Sequence, residues 1–144
     1  MRFLEINLLA LIMAVSLQNI ECKMDFAQLS KAGKAFRKSC QRESNCPTDL
    51  ITNARLNGDF PPVPELKCYF KCLFQAMKII RDDKFSEEAM NSQMALMLTE
   101  DLAKSLDAMA AHCIPQIKSS EICEASYELT ICGYNYNASL YFFP

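Results

Sequence analysis

Apolar side chains recur at spacings of three and four along most of this chain, the pattern of helices that bury one face. It is plainest from Pro64 onward, where Leu66, Phe70, Leu73, Met77 and Ile80 mark one side of a central helix whose first position suits proline. Upstream, Phe26, Leu29, Ala32, Phe36 and Cys40 share a face of a helix over about 26–41, with Asp25 placed to cap it. Cys46-Pro47-Thr48-Asp49 interrupts the chain before a short helix through Leu56, and Asn57-Gly58-Asp59 breaks that one. Pro61-Pro62-Val63-Pro64 is a stiff lead into the central helix, and Arg81-Asp82-Asp83-Lys84 after it reads as a solvated charged loop. Ser86 caps a fourth helix carrying Met90, Met94 and Met97. Thr99-Glu100-Asp101 starts a fifth, with Leu102, Leu106, Met109 and Cys113 inward, ending at Pro115. Ser120-Glu121 opens a sixth through Ile122, Leu129 and Cys132, expected to stop near Gly133. No segment shows strand alternation with hairpin turns, so the predicted fold class is all-α, six short helices joined by tight loops.

The first 22 residues read as an export signal rather than as structure: Arg2 gives a positive start, and Leu8 to Val15 is too short to span a bilayer. Cleavage after Ser16 or after Cys22 satisfies the small-residue rule. Cys22 is preferred, because polar helix-forming sequence begins just beyond it. Residues 23–144 are then a single secreted domain. A formal net charge of −2 over the whole chain gives no electrostatic reason to bind nucleic acid or an anionic membrane. No second apolar run is long enough for membrane insertion.

Cysteines stand at 22, 40, 46, 68, 72, 113, 123 and 132. Export favours disulfides, and a single histidine, His112, makes zinc a poor alternative, so no metal or cofactor is expected. Cys68 and Cys72 lie one turn apart on the same helical face, where they cannot bond each other, so each must reach a different element. Spacing alone leaves fifteen pairings open for six cysteines.

The framework has 27 residues between Cys40 and Cys68, three to Cys72, 40 to Cys113, nine to Cys123 and eight to Cys132. With Gly58-Asp59-Phe60 before the central helix and the ending Tyr141-Phe142-Phe143-Pro144, it resembles the six-cysteine odorant-binding proteins of insects. Plant lipid-transfer proteins, also helical with eight cysteines, need an adjacent Cys-Cys pair that is absent here. The resemblance implies bridges Cys40–Cys72, Cys68–Cys123 and Cys113–Cys132, which staple the helices around an internal hydrophobic cavity. Cys46 has no counterpart in that pattern: it is free, cross-links two molecules, or pairs with Cys22 if cleavage falls at Ser16. The resemblance also implies a carrier that binds and solubilises small hydrophobic volatiles or lipid-like molecules. It would work in sensillar lymph or another extracellular fluid, as a monomer or weak homodimer, delivering its ligand to a membrane odorant receptor.

Candidate ligand-binding residues are Phe70, Leu73, Phe74 and Met77 on the central helix, Met90, Met94 and Met97 on the fourth, and Met109 on the fifth. Methionine is flexible and polarizable and conforms to ligands of different shape, although such residues at helical spacing also make ordinary core. Burying a ligand of about ten carbons at roughly 0.8 kcal/mol per methylene supports micromolar affinity after ordering costs. Tyr69, Tyr127, Thr130 or a tail tyrosine would supply a polar contact. By the resemblance, the tail closes the cavity as a lid, with Tyr141, Phe142 and Phe143 as its apolar bodies. Asn137-Ala138-Ser139 is a glycosylation sequon, and a glycan there competes with a tail that enters the core. His112 is the side chain expected to titrate near neutrality, which makes acid-triggered release a hypothesis to test. Enzyme chemistry finds no support: no Gly-x-Ser-x-Gly elbow, no phosphate loop, and no Cys-Cys-x-x-His-Asp context for the histidine. The competing reading is a secreted helical signalling or interaction protein with a filled core.

Overall fold

The computed structural model describes residues 23–144. The expected leader over 1–22, with Cys22, lies outside the described residues.

Six helices form, each started by a local device. The Asp25 carboxylate accepts from the Gln28 amide N–H at 2.8 Å while the Gln28 side chain accepts from the Asp25 N–H, a reciprocal cap for α1 (Phe26–Ser44). The helix runs past Gln41 and ends at Asn45 in the left-handed region, φ 53°. Pro47 precedes α2 (Thr48–Asn57), which ends at Gly58 with φ 63°. Pro64 occupies the first position of α3 (Pro64–Ala76). Ser86 accepts from the Ala89 N–H at 3.1 Å to start α4 (Glu87–Met97), and Glu100 and Asp101 lie in the first turn of α5 (Glu100–Cys113). The Glu121 carboxylate accepts from the N–H groups of Cys123 and Glu124 at the head of α6 (Ile122–Tyr136), and those bonds hold its pKa below the usual range. Short 3-10 turns at Ile114–Gln116 and Ala138–Leu140 follow α5 and α6.

Three expectations need correction. The central helix stops at Ala76 rather than continuing to Ile80, because Lys78 turns left-handed (φ 59°) and the Ile79 N–H bonds the Phe74 carbonyl while Lys78 bonds Gln75. This is a Schellman cap with buried Phe74 and Ile79 as its apolar pair. Arg81-Asp82-Asp83-Lys84 is not a loop alone but the turn of a hairpin, β1 (Ile80–Arg81) with β2 (Lys84–Phe85), Ile80 opposite Phe85. Asp82 and Asp83 both take positive φ, the conformation a two-residue hairpin turn demands and aspartate tolerates. Finally, α6 does not stop at Gly133. That glycine sits mid-helix because Met109 of α5 presses its sulfur where a Cβ would be, 2.8 Å away.

In the assembled domain α3 is central, packed chiefly on α6 and α1, while α4 packs on α5. Cys40–Cys72 ties α3 to α1, Cys68–Cys123 ties it to α6, and Cys113–Cys132 ties α5 to α6. Lys67 and Glu124 pair beside the second bridge. The segment before α1 is held as well: Met24 donates to Met97 and accepts from Thr99, fastening it to the α4–α5 corner. No helix among the described residues is long and apolar enough to cross a membrane.

The turn at Gly58 offers a first test. Its φ of 63° suits glycine, and a Cβ there would run into the Tyr134 ring. Gly58→Ala is expected to cost about 2 kcal/mol, read from the urea midpoint. A midpoint equal to the parent's would mean both that Tyr134 swings aside freely and that the left-handed turn tolerates alanine.

Candidate functional site: an apolar cavity closed by the tail

A cavity of about 100 Å³ lies between α3, α4, α5, α6 and the tail. Of the eleven candidates read from the sequence, nine line it: Phe74, Met77, Met90, Met94, Met97, Met109, Tyr141, Phe142 and Phe143. The other two do not. Phe70 (0% exposed) and Leu73 (2%) share the central helix but sit one layer back, Phe70 with its ring 5.9 Å from that of Phe143. Periodicity names a helical face, and this face is wide enough to feed both the cavity wall and the core behind it.

The lining also includes residues the sequence reading placed only in the general core, such as Leu29, Leu106 and Leu129, whose inward spacing was visible. Ile79 and Leu98 fall between helices and Leu140 in the short 3-10 turn after α6, where spacing carries no signal. Met97 is 45% exposed, so the cavity comes nearest to water at the end of α4.

The tail turns inward after α6. Phe143 is 7% exposed and touches four rings: Phe142 at 4.7 Å, Phe74 at 5.1 Å, Tyr141 at 5.6 Å and Phe70 at 5.9 Å. Phe74 meets Phe85 of the hairpin edge-on at 5.1 Å, which continues the cluster to β2. Pro144 lies against Gly33 of α1, and its main-chain oxygen accepts from the Tyr69 hydroxyl at 2.8 Å. Burial pushes the Tyr69 hydroxyl's pKa upward, so it keeps its proton to donate. Asn137, where the tail leaves α6, is exposed, and its side-chain oxygen accepts from the Ser139 N–H and hydroxyl.

About 100 Å³ is small. A dry void of ~150 Å³ holds a benzene ring, so anything larger requires the walls to give. Five methionines with three rotatable bonds each, and a tail held by rings rather than by a disulfide, are the parts able to do so.

A second hollow, about 660 Å³, is a groove along the outside of α5 and α6, where Lys118, Glu124 and Glu128 keep it wet. His112 lines this groove, its ring tilted against that of Tyr136 with centroids 5.2 Å apart, and not the apolar cavity. His112→Ala is therefore expected to leave the affinity change between pH 7 and pH 5 as it is in the parent. A change abolished by the substitution would restore histidine-triggered release. Cys46 is buried, 2% exposed, with no disulfide partner among the described residues. Burial and the nearby Glu65 and Asp49 push its thiol up to about 11, so it is a poor nucleophile for cross-linking.

The sequence profile of the PBP/GOBP family matches residues 22–136. General odorant-binding protein 72 of Anopheles gambiae is 28% identical over 80% of this chain and 95% of its own. Odorant-binding protein 4 of the predator Chrysopa pallens superposes with a TM-score of 0.73, is 27% identical, and aligns over 84% of this chain and 99% of its own. Odorant binding protein 5 of Apis mellifera shares the fold, with a TM-score of 0.74 at 24% identity, over 85% and 99% of the two chains.

Proposed function

The chain belongs to the PBP/GOBP family, and from that premise we propose that its methionine-walled cavity is the binding site of a carrier for small hydrophobic molecules. The observation that carries this reading is a hollow in the middle of a domain whose other apolar residues are closely packed. A chain of this size gains stability by filling its centre, and an unfilled apolar void costs it. Three bridges offset that cost. They hold α1, α3, α5 and α6 in place while leaving α4 and the tail, which supply much of the cavity wall, free of covalent ties. Exported into an extracellular fluid, such a protein raises the solubility of its cargo and releases it at a membrane receptor. The carrier acts by binding alone, with no bond made or broken in the cargo.

Binding draws on the transfer of apolar surface out of water, with the methionines and the tail repacking around the guest. The oxidised protein is expected to take up a polarity-sensitive apolar dye saturably, at micromolar affinity, and to give it up to some volatiles and not others. Absence of uptake, in protein shown by mass to hold its three bridges, would mean a filled core and favour the interaction-protein reading.

A further inference from the structure

The sequence offered several hydroxyls as anchors for a ligand's polar group, and the structure bonds three of them elsewhere. Tyr69 donates to the Pro144 oxygen, behind the tail. Tyr127 donates to the Phe60 carbonyl and faces the outer groove. Thr130 touches the cavity, but its hydroxyl is spent on the Ser126 carbonyl at 2.8 Å. Tyr134 and Tyr141 line the cavity through their rings. The Tyr134 hydroxyl is turned to Gly58 at the end of α2, and the Tyr141 ring packs against those of Phe60, Tyr134 and Phe143. Gln93 is half-exposed on α4, near the rim. The wall that faces the cavity is almost entirely carbon and sulfur, with next to no polar atom on its surface.

We infer that this cavity selects ligands without a hydrogen-bonding group: hydrocarbons, in preference to alcohols, ketones or acids of the same length. The inference rests on the carrier reading above and narrows it. A hydroxyl or carbonyl brought into a wall of carbon and sulfur surrenders its bonds to water and finds none in exchange. A hydrocarbon surrenders nothing. The thioethers of Met77, Met90, Met94, Met97 and Met109 also make favourable contacts with unsaturated groups, which points within the hydrocarbons to alkenes and aromatic rings.

The test is displacement of a bound apolar dye by four compounds of about eight carbons each: an alkene, a methyl ketone, a primary alcohol and a carboxylate. The alkene is expected to bind most tightly, the ketone and alcohol about ten-fold more weakly or worse, and the carboxylate not measurably. In Tyr141→Phe and Gln93→Leu, alkene and alcohol affinities are expected to move together. An alcohol or ketone that matches or exceeds the alkene overturns the inference, as does either variant weakening the alcohol while sparing the alkene. In those outcomes the dye still binds and the carrier reading stands. Failure to bind the dye at all overturns both.

Discussion

Alanine at both Cys68 and Cys123 is expected to remove about 4 kcal/mol of stability, the largest loss from any one of the three bridges. The two residues are 55 apart in sequence, against 32 for Cys40–Cys72 and 19 for Cys113–Cys132. Closing a longer loop takes more freedom from the unfolded chain, and the loop-entropy relation gives roughly 4, 3.7 and 3.2 kcal/mol in that order. The bridge also joins α3 to α6, the most extensively packed pair of helices in the domain, and both contribute to the cavity wall. A domain of this size loses roughly 12–20 °C of melting temperature for such a change. Dye uptake should fail at temperatures where the parent still binds. Replacing both cysteines avoids a free thiol that would reshuffle the remaining bridges. Melting within a few degrees of the parent, with the other bridges verified by mass, would refute the argument that the hollow is sustained by its staples.

How far the sequence disclosed this arrangement depends on what each signal measures. Helix starts were legible because the capping groups are local: Asp25, Pro64, Ser86 and Glu121 each act within a turn of their own position. Helix ends were less so. Gly133 looks like a stop, yet it is a notch for the Met109 sulfur, a fact about a neighbouring helix that no local pattern contains. The hairpin escaped because two-residue strands are too short to alternate, and Lys78 ends α3 in a backbone conformation more often given to glycine. Pairing of the cysteines came from resemblance, since the geometry of α3 required only that Cys68 and Cys72 part company. The methionines of α4 were found by spacing, but spacing did not separate Phe74, on the wall, from Phe70, behind it. That separation is set by where the tail lies. Nothing in the periodicity of α3 encodes the path of residues 141–144.

Phe143 therefore makes the most informative single substitution. Phe143→Ala is expected to cost about 3 kcal/mol, because the ring is buried against Phe70, Phe74, Tyr141 and Phe142 and little else is placed to fill its space. An ordinary core phenylalanine would cost as much, so stability alone does not decide its role. The ring also lines the cavity, and removing it adds its volume to a space of about 100 Å³. A bulky guest that the parent accepts only by displacing the tail should then fit the variant with less rearrangement, and its affinity should rise while that of a small guest falls. Linkage supplies a second readout: a ligand at a hundred-fold its Kd restores about 2.7 kcal/mol to whichever form binds it. Saturating bulky hydrocarbon should accordingly return most of the lost stability to Phe143→Ala in urea and add less to the parent. Parent-like unfolding of the variant would show that the tail is not packed in the core. Lower stability without a shift in size preference would make Phe143 plain core, and the wall of the cavity would then have to be sought in α4 and α5 alone.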